Sequence, residues 1–294
     1  MSIINGLDEN LPVTHHHDVY PAISPEPLFA AQTYRGKVVL ITGASRGIGA
    51  ETATAYARAG ASVAVVARWK GTLDESAAAI RSAVSEAQVL AVPADVRDAK
   101  AVHDAVQATL SRFGQIDIVI ANAGTATKLS GTLDSKDPDD WWNTFEVNIR
   151  GVYNTFRASV MPLKTSKGYF IAISSVGAQL RVPGASDYCI SKHAVNRLVE
   201  YIAIEHPSIK TFSLHPGEIY TQLQKDTRDV DDRSVKYDSP LLPAATMLYL
   251  TSGRVDWLNG RYLSANWDLE VIEKEMKEII VTKGGLVNKL CIPF

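Results

Sequence analysis

The 294-residue sequence predicts an α/β protein built on a single doubly wound parallel sheet of about seven strands, with helices on both faces. Three observations predict it. Short β-rich apolar runs alternate with helical stretches, and a glycine-rich loop follows the first run. The residues with chemical potential fall just after the runs, at the carboxyl ends of the expected strands, where such sheets collect their ligands.

Residues 1–35 are rich in Pro, His and Asn and lack any helical or alternating apolar period, so they read as an irregular arm. Its His15-His16-His17 run has no partner at a metal-ligand spacing and is expected to be a solvated polar segment rather than a metal site. Leu28 and Phe29 are candidates to cover the domain surface or a neighbouring subunit. Residues 36–268 form the sheet domain. Lys37 to Thr42 is the first buried strand; Gly43-Ala-Ser-Arg-Gly-Ile-Gly49 follows, then an Ala-rich helix that stops at Gly60. Glycines between a strand and a helix let the backbone approach a pyrophosphate, which the helix N-terminus then stabilises. Further strands are expected at Ser62–Ala67, Gln88–Pro93, Ile116–Ala121, Gly168–Ser174, Ile209–Leu214 and Gly260–Ser264. Arg68, Asp95, Asn122, Ser175 and Pro216 each stand at such a strand end. A charged helix from Leu269 to about Ile280 and a tail complete residues 269–294.

The chemistry centres on the stretch from Ser175 to Lys192. Tyr188 and Lys192 are four residues apart, on one face of a helix, where an ammonium can bias a phenol. A tyrosine normally titrates near 10. A positive charge at roughly 4 Å is worth about 4 kcal/mol at an effective dielectric of about 20, enough to bring the phenol towards neutrality as an acid/base. Cys189 has no second thiol or activating histidine beside it and reads as a small buried hydrophobe; with Cys291 it makes only two cysteines, too few for a disulfide framework.

Composition narrows the partners. Thirty basic residues nearly balance 32 acidic ones, so nothing points to nucleic acid or an anionic membrane. No apolar run approaches a membrane span and no signal pattern opens the chain, so a cytoplasmic location is the expectation.

These residues, taken together and in this order, resemble the short-chain dehydrogenase/reductases over roughly residues 36 to 265: Thr42-Gly-Ala-Ser-Arg-Gly-Ile-Gly49, Asp95-Val96, Asn122-Ala-Gly124, Asn148, Ser175, Tyr188-x-x-x-Lys192 and Pro216-Gly-Glu-Ile-Tyr-Thr221. The resemblance implies a Rossmann-type domain in which Gly43, Ser45, Arg46, Gly47, Ile48 and Gly49 form the loop around the cofactor's diphosphate. Asp95 and Val96 would hold the adenine end, Asn122, Ala123 and Gly124 would pack along the ribose, and Pro216, Gly217, Ile219 and Thr221 would hold the nicotinamide carboxamide. It further implies hydride transfer between nicotinamide and a carbonyl carbon. Tyr188 would be the proton donor or acceptor, Lys192 would tune the phenol and bind the ribose, Ser175 would bond the carbonyl oxygen, and Asn148 would anchor a relay water. Ser175, rather than Ser174, lies the family's thirteen residues before the tyrosine. No metal is implied. The family's usual assembly implies a homodimer or homotetramer. An arginine after the second strand suits a 2′-phosphate, so Arg68, with Arg46 in the glycine loop, predicts NADP(H) over NAD(H).

The last strand is followed by Ala265-Asn-Trp-Asp268, where the family commonly has an aspartate and paired glycines, which puts the usual C-terminal tetramer contact in doubt. Residues 222–239 correspond to the family's mobile substrate lid; the charges within it, from Lys225 to Arg233, are expected to be a solvated face. Thr125, Ala126, Ala178, Leu180, Val182, Tyr220 and Leu223 are the expected substrate neighbours; being mostly apolar, they predict a hydrophobic alcohol or ketone. Trp141 and Trp142 are expected in packing or at an interface. Two other functions are weighed: an NADPH-binding sensor or scaffold without turnover, disfavoured by the intact Asn148, Ser175, Tyr188 and Lys192 set, and a nucleotide-sugar epimerase or dehydratase, disfavoured by the glycine spacing.

Overall fold

The computed structural model describes residues 4–6, 8–227 and 236–290. Seven strands form one parallel sheet: β1 (Val38–Thr42), β2 (Ser62–Ala67), β3 (Val89–Pro93), β4 (Ile118–Ala121), β5 (Tyr169–Ile173), β6 (Lys210–His215) and β7 (Arg261–Ser264). Their order is β3-β2-β1-β4-β5-β6-β7, so the winding reverses between β1 and β4 and opens a crevice at their carboxyl ends. The helices are α1 (Glu26–Ala31), α2 (Gly47–Arg58), α3 (Lys70–Ala83), α4 (Ala99–Phe113), α5 (Pro138–Phe145), α6 (Gly151–Ser166), α7 (Ser186–Glu205), α8 (Gln222–Thr227), α9 (Leu241–Leu250), α10 (Leu269–Val271) and α11 (Lys277–Thr282). The expected strands are all present, each within two residues of its expected bounds.

The alternation of side chains along a strand sorts the core into two layers. Val39 and Ile41 of β1 face a layer built with α2, α3 and α9, whereas Val38 and Leu40 face a layer built with α4, α6 and α7. All five residues of β1 are buried, as the continuous apolar run requires of a strand covered on both sides.

The arm departs from expectation. It contains the short helix α1, and Tyr20, Ile23 and Tyr34 join the core layer of α2 and α9. Tyr34 Oη donates to the Leu248 carbonyl at 2.6 Å, which fixes the arm's end to α9. The histidine run is not simply solvated: His16 Nε2 meets Asp268 Oδ2 at 3.0 Å and His17 Nδ1 meets Asp238 Oδ1 at 2.5 Å. Local sequence carries no trace of these partners, which lie more than 200 positions away. The C-terminal helix is also less regular than expected, with a π-helical turn at Ile272–Met276 between α10 and α11. Cys291 and part of the expected lid, 228–235, lie outside the described residues.

Candidate active site

The crevice between β1 and β4 is closed by backbone contact. Gly43 has φ +66°, and a Cβ there would lie 2.7 Å from Ala123 Cα, so only glycine serves. Asn122 stitches the two strand ends: its Nδ2 donates to the carbonyls of Thr42 and Gly43 at 2.9 and 3.1 Å, and its N–H donates to Thr42 Oγ1 at 3.1 Å. A Cβ on Gly49 would lie 2.6 Å from that same amide nitrogen. Above this floor α2 begins at Gly47 without a side-chain cap, leaving its first N–H groups to a ligand or water. A tight backbone cradle ending on an uncapped helix N-terminus suits a diphosphate, so the residues present fit a dinucleotide.

Other expected cofactor residues gather at the same edge. Thr221 comes within 3.4 Å of where a Cβ on Gly47 would stand, so the loop after β6 meets the loop after β1. Arg46 and Arg68 are exposed. Asp95 is gripped by Arg97, which sequence reasoning missed: Arg97 Nη2 and Nε donate to Asp95 Oδ2 at 2.7 and 3.1 Å. The hydrogen bonds from Arg97 hold the Asp95 carboxyl below its usual range against the opposing effect of burial. Val96 packs against Gly151 at the start of α6.

The acid/base candidates converge on α7 and the end of β5. Ser175 Oγ accepts the Gly177 N–H at 3.0 Å, whereas Ser174 Oγ donates to Asn196 Oδ1 at 2.6 Å, out of the site. Burial pushes the Tyr188 phenol above its ordinary value, and the hydrogen bond with Ser175 pulls it part of the way back. The expectation that Lys192 draws the phenol towards neutrality is not met. Lys192 Nζ donates to the Ile173 carbonyl at 2.7 Å and sits 5.6 Å from the centroid of the Tyr188 ring. Its own burial lowers it to about 8. Desolvation disfavours both charged forms at once, and Lys192 is not among the groups that shift the phenol.

Asn148 lies in a π-helical turn, Glu146–Arg150, between α5 and α6. Its amide brackets Thr125, accepting from the Thr125 N–H and donating to the Thr125 carbonyl, both at 2.9 Å, and also donates to Ser191 Oγ at 2.9 Å. The side chain expected to anchor a water therefore ties the loop after β4 to α7.

Ser175 and Tyr188 line a cavity of about 300 Å³. Four of the expected substrate neighbours, Ala126, Leu180, Val182 and Leu223, line it too. Three do not. Thr125 faces an adjoining polar cleft of about 730 Å³. Ala178 is buried in a short helical turn and its carbonyl accepts from His193 Nδ1. Tyr220 is 52% exposed, packing on Tyr237 and under Lys225, because its neighbour Ile219 takes the inward position. Cys189, read as a buried hydrophobe, is buried but lines the cavity, and burial pushes its thiol up. Residues missed from sequence include His215 and Glu218, which flank the Pro216-Gly217 turn and whose position beside that motif is a usable signal, and Ile4 of the arm, for which no local signal exists.

His215 is buried, and its Nδ1 has no hydrogen-bond partner among the described residues. Burial lowers it to about 4 from 6.5. The unfolded chain therefore takes up this proton at higher pH than the folded one, and stability falls as pH drops from 6.5 to 4. The loss at this group is about 3 kcal/mol. Urea unfolding across that range should show a shallower acid limb in His215→Gln; parallel limbs would contradict the assignment.

A parallel sheet wound about β1 and β4, with a glycine cradle at the reversal and Ser175, Tyr188 and Lys192 at the next strand end, defines a Rossmann-type oxidoreductase. The chain belongs to the short chain dehydrogenase family, whose profile matches residues 37–232. It is 38% identical over 274 residues to the short chain dehydrogenase mpl6 of Monascus purpureus, covering 90% of this chain and 91% of that one. Among solved structures it is similar to levodione reductase (27% identity, TM-score 0.74, 79% of this chain and 97% of that one). It is likewise similar to an alcohol dehydrogenase of the archaeon Thermococcus sibiricus complexed with 5-hydroxy-NADP (29% identity, TM-score 0.69, 78% and 95% covered).

Proposed function

We propose that this protein is an NADP(H)-dependent oxidoreductase acting on a ketone or secondary alcohol, a hydrophobic small molecule of secondary metabolism. The observation that carries the reading is an apolar-walled cavity in which Tyr188 and Ser175 meet beside the Pro216–Thr221 loop. A bound nicotinamide dinucleotide supplies or accepts the hydride. Tyr188 carries the proton, giving it to a developing alkoxide in reduction or taking it from the alcohol in oxidation, with burial raising its phenol above the ordinary value. Ser175 orients the carbonyl oxygen as a second donor. Lys192, in reach of Gly124 and clear of solvent, supplies positive charge where the ribose would lie. Asn148 holds the backbone of Thr125, the neighbour of Ala126 in the cavity wall, against α7.

The NADP(H) preference rests on Arg46 and Arg68. Both are exposed, Arg46 in the loop after β1 and Arg68 directly after β2, where its charge reaches Asp95. An arginine at this edge accommodates a 2′-phosphate. Replacing both with Ala should weaken NADPH by about 10²–10⁴-fold and NADH by less than about threefold, since each charge-assisted contact is worth roughly 1.5–3 kcal/mol. Equal losses measured by fluorescence titration would contradict the preference.

Two copies are proposed to pair through α6 and α7, whose outward faces expose Tyr153, Met161, Ile190, Tyr201 and Ile204. No helix among the described residues is long and apolar enough to cross a membrane. The reading is tested by NADPH consumption, with NADH in parallel, against ketones and aldehydes graded in size and polarity. Turnover that rises with apolar bulk supports it, and silence across the panel with NADPH still bound favours a binding-only protein.

A further inference from the structure

We propose that the N-terminal arm is a working part of the site, a clasp that holds the nicotinamide end of the cofactor loop through Asp238 as positioning residue. The proposal rests on the dinucleotide reading given above. Asp238 is buried, with its side chain 3% exposed, and has three donors around it. Oδ2 accepts the Glu218 N–H at 2.7 Å and Asn266 Nδ2 at 2.9 Å, while Oδ1 meets His17 Nδ1 at 2.5 Å. Its own N–H donates to the Glu218 carbonyl at 2.9 Å, so Asp238 pairs with both backbone groups of one residue in the Pro216–Thr221 loop. The approach needs glycine: Gly217 has φ +92°, and a Cβ there would lie 2.5 Å from Asp238 Oδ2.

The arm supplies the other side of this junction. Asn266 Nδ2 uses its second hydrogen on the His16 carbonyl at 2.8 Å, and the His16 N–H donates to the Asn266 carbonyl at 2.7 Å. The Ser239 N–H donates to the His17 carbonyl at 2.8 Å. His16 is stacked on Tyr20 and bonded to Asp268, and Trp267 Nε1 donates to Asn10 Oδ1. The residues after β7 that replace the family's common ending are thus the receptors of the arm, so the unusual ending and the arm form one device. Further towards its start the arm reaches the cavity itself. The Arg181 N–H donates to the Asn5 carbonyl at 2.9 Å, and Ile4 lines the cavity wall.

A clasp on the nicotinamide loop should affect one end of the cofactor and not the other. Two probes separate the ends: NADPH, with NADH in parallel, and 2′-phospho-ADP-ribose, which lacks the nicotinamide. In the full chain, His17→Ala and Asp238→Asn should each weaken NADPH by about tenfold, the scale of one lost charge-assisted hydrogen bond. Affinity for 2′-phospho-ADP-ribose should stay within about twofold of wild type. Equal weakening of both probes, or no weakening of either, would overturn the clasp. Wild-type protein that binds neither probe nor NADH would overturn the dinucleotide reading and the clasp with it. Should Asp238→Asn fail to fold, the half-exposed His17 carries the same comparison alone.

Discussion

Tyr188→Phe is expected to lower ketone turnover by roughly 10²–10⁴-fold, the range of a positioned general acid. NADPH affinity should remain within about threefold of wild type, because the variant keeps the ring and removes only the group that carries the proton. The structure sharpens the expectation. Burial raises the phenol above its ordinary value, the Ser175 hydroxyl lowers it part of the way back, and Lys192 is engaged with the Ile173 carbonyl. Loss should therefore appear in kcat, with little change in KM. Steady-state kinetics on the ketones the wild type accepts would check it. Wild-type turnover in Tyr188→Phe would remove the residue from the reaction.

The largest stability effect is expected one residue earlier. Asp187, on the first turn of α7, forms a buried ion pair with Lys136 at 3.2 Å, with side chains 1% and 6% exposed. The carboxylate also accepts the Thr127 N–H at 3.1 Å and Thr144 Oγ1 at 3.0 Å, and Lys136 Nζ donates to Thr127 Oγ1 at 2.6 Å. Burial pushes the Asp187 carboxyl up, but the bonds from Thr127, Thr144 and Lys136 outweigh it and hold the group below its usual range. Breaking such a pair leaves one charge buried without its counterpart. Lys136→Met is thus expected to cost about 3–5 kcal/mol, and Lys136→Met/Asp187→Asn distinctly less than the sum of the single changes. Urea unfolding of all four proteins would measure the coupling. A single variant within about 1 kcal/mol of wild type would show that the pair contributes little.

Much of this was legible because the signals are local. Strand runs, the glycine loop and the Tyr188–Lys192 spacing depend on residues a few positions apart, and a parallel sheet brings all strand ends to one edge. What sequence reading missed depends on contacts across the chain. Asp238 matters because the segments holding His17, Glu218 and Asn266 meet there, and Asp187 because the loop carrying Thr127 and Lys136 folds onto α7. Tyr220 stands outside the cavity for a smaller reason: in a loop, nearness to a motif does not fix which side chain turns inward. The Tyr188 phenol was misjudged because a spacing argument counts the charge of Lys192 and omits the desolvation of both groups.

The central claim is hydride transfer to a carbonyl with Tyr188 as proton donor. The most direct test uses NADPH carrying deuterium at the transferring position of the nicotinamide, incubated with a monoketone that the wild type reduces, and mass spectrometry of the alcohol formed. One deuterium on the new carbinol carbon is expected with wild-type protein and almost none with Tyr188→Phe. Deuterium transfer undiminished in Tyr188→Phe would contradict it.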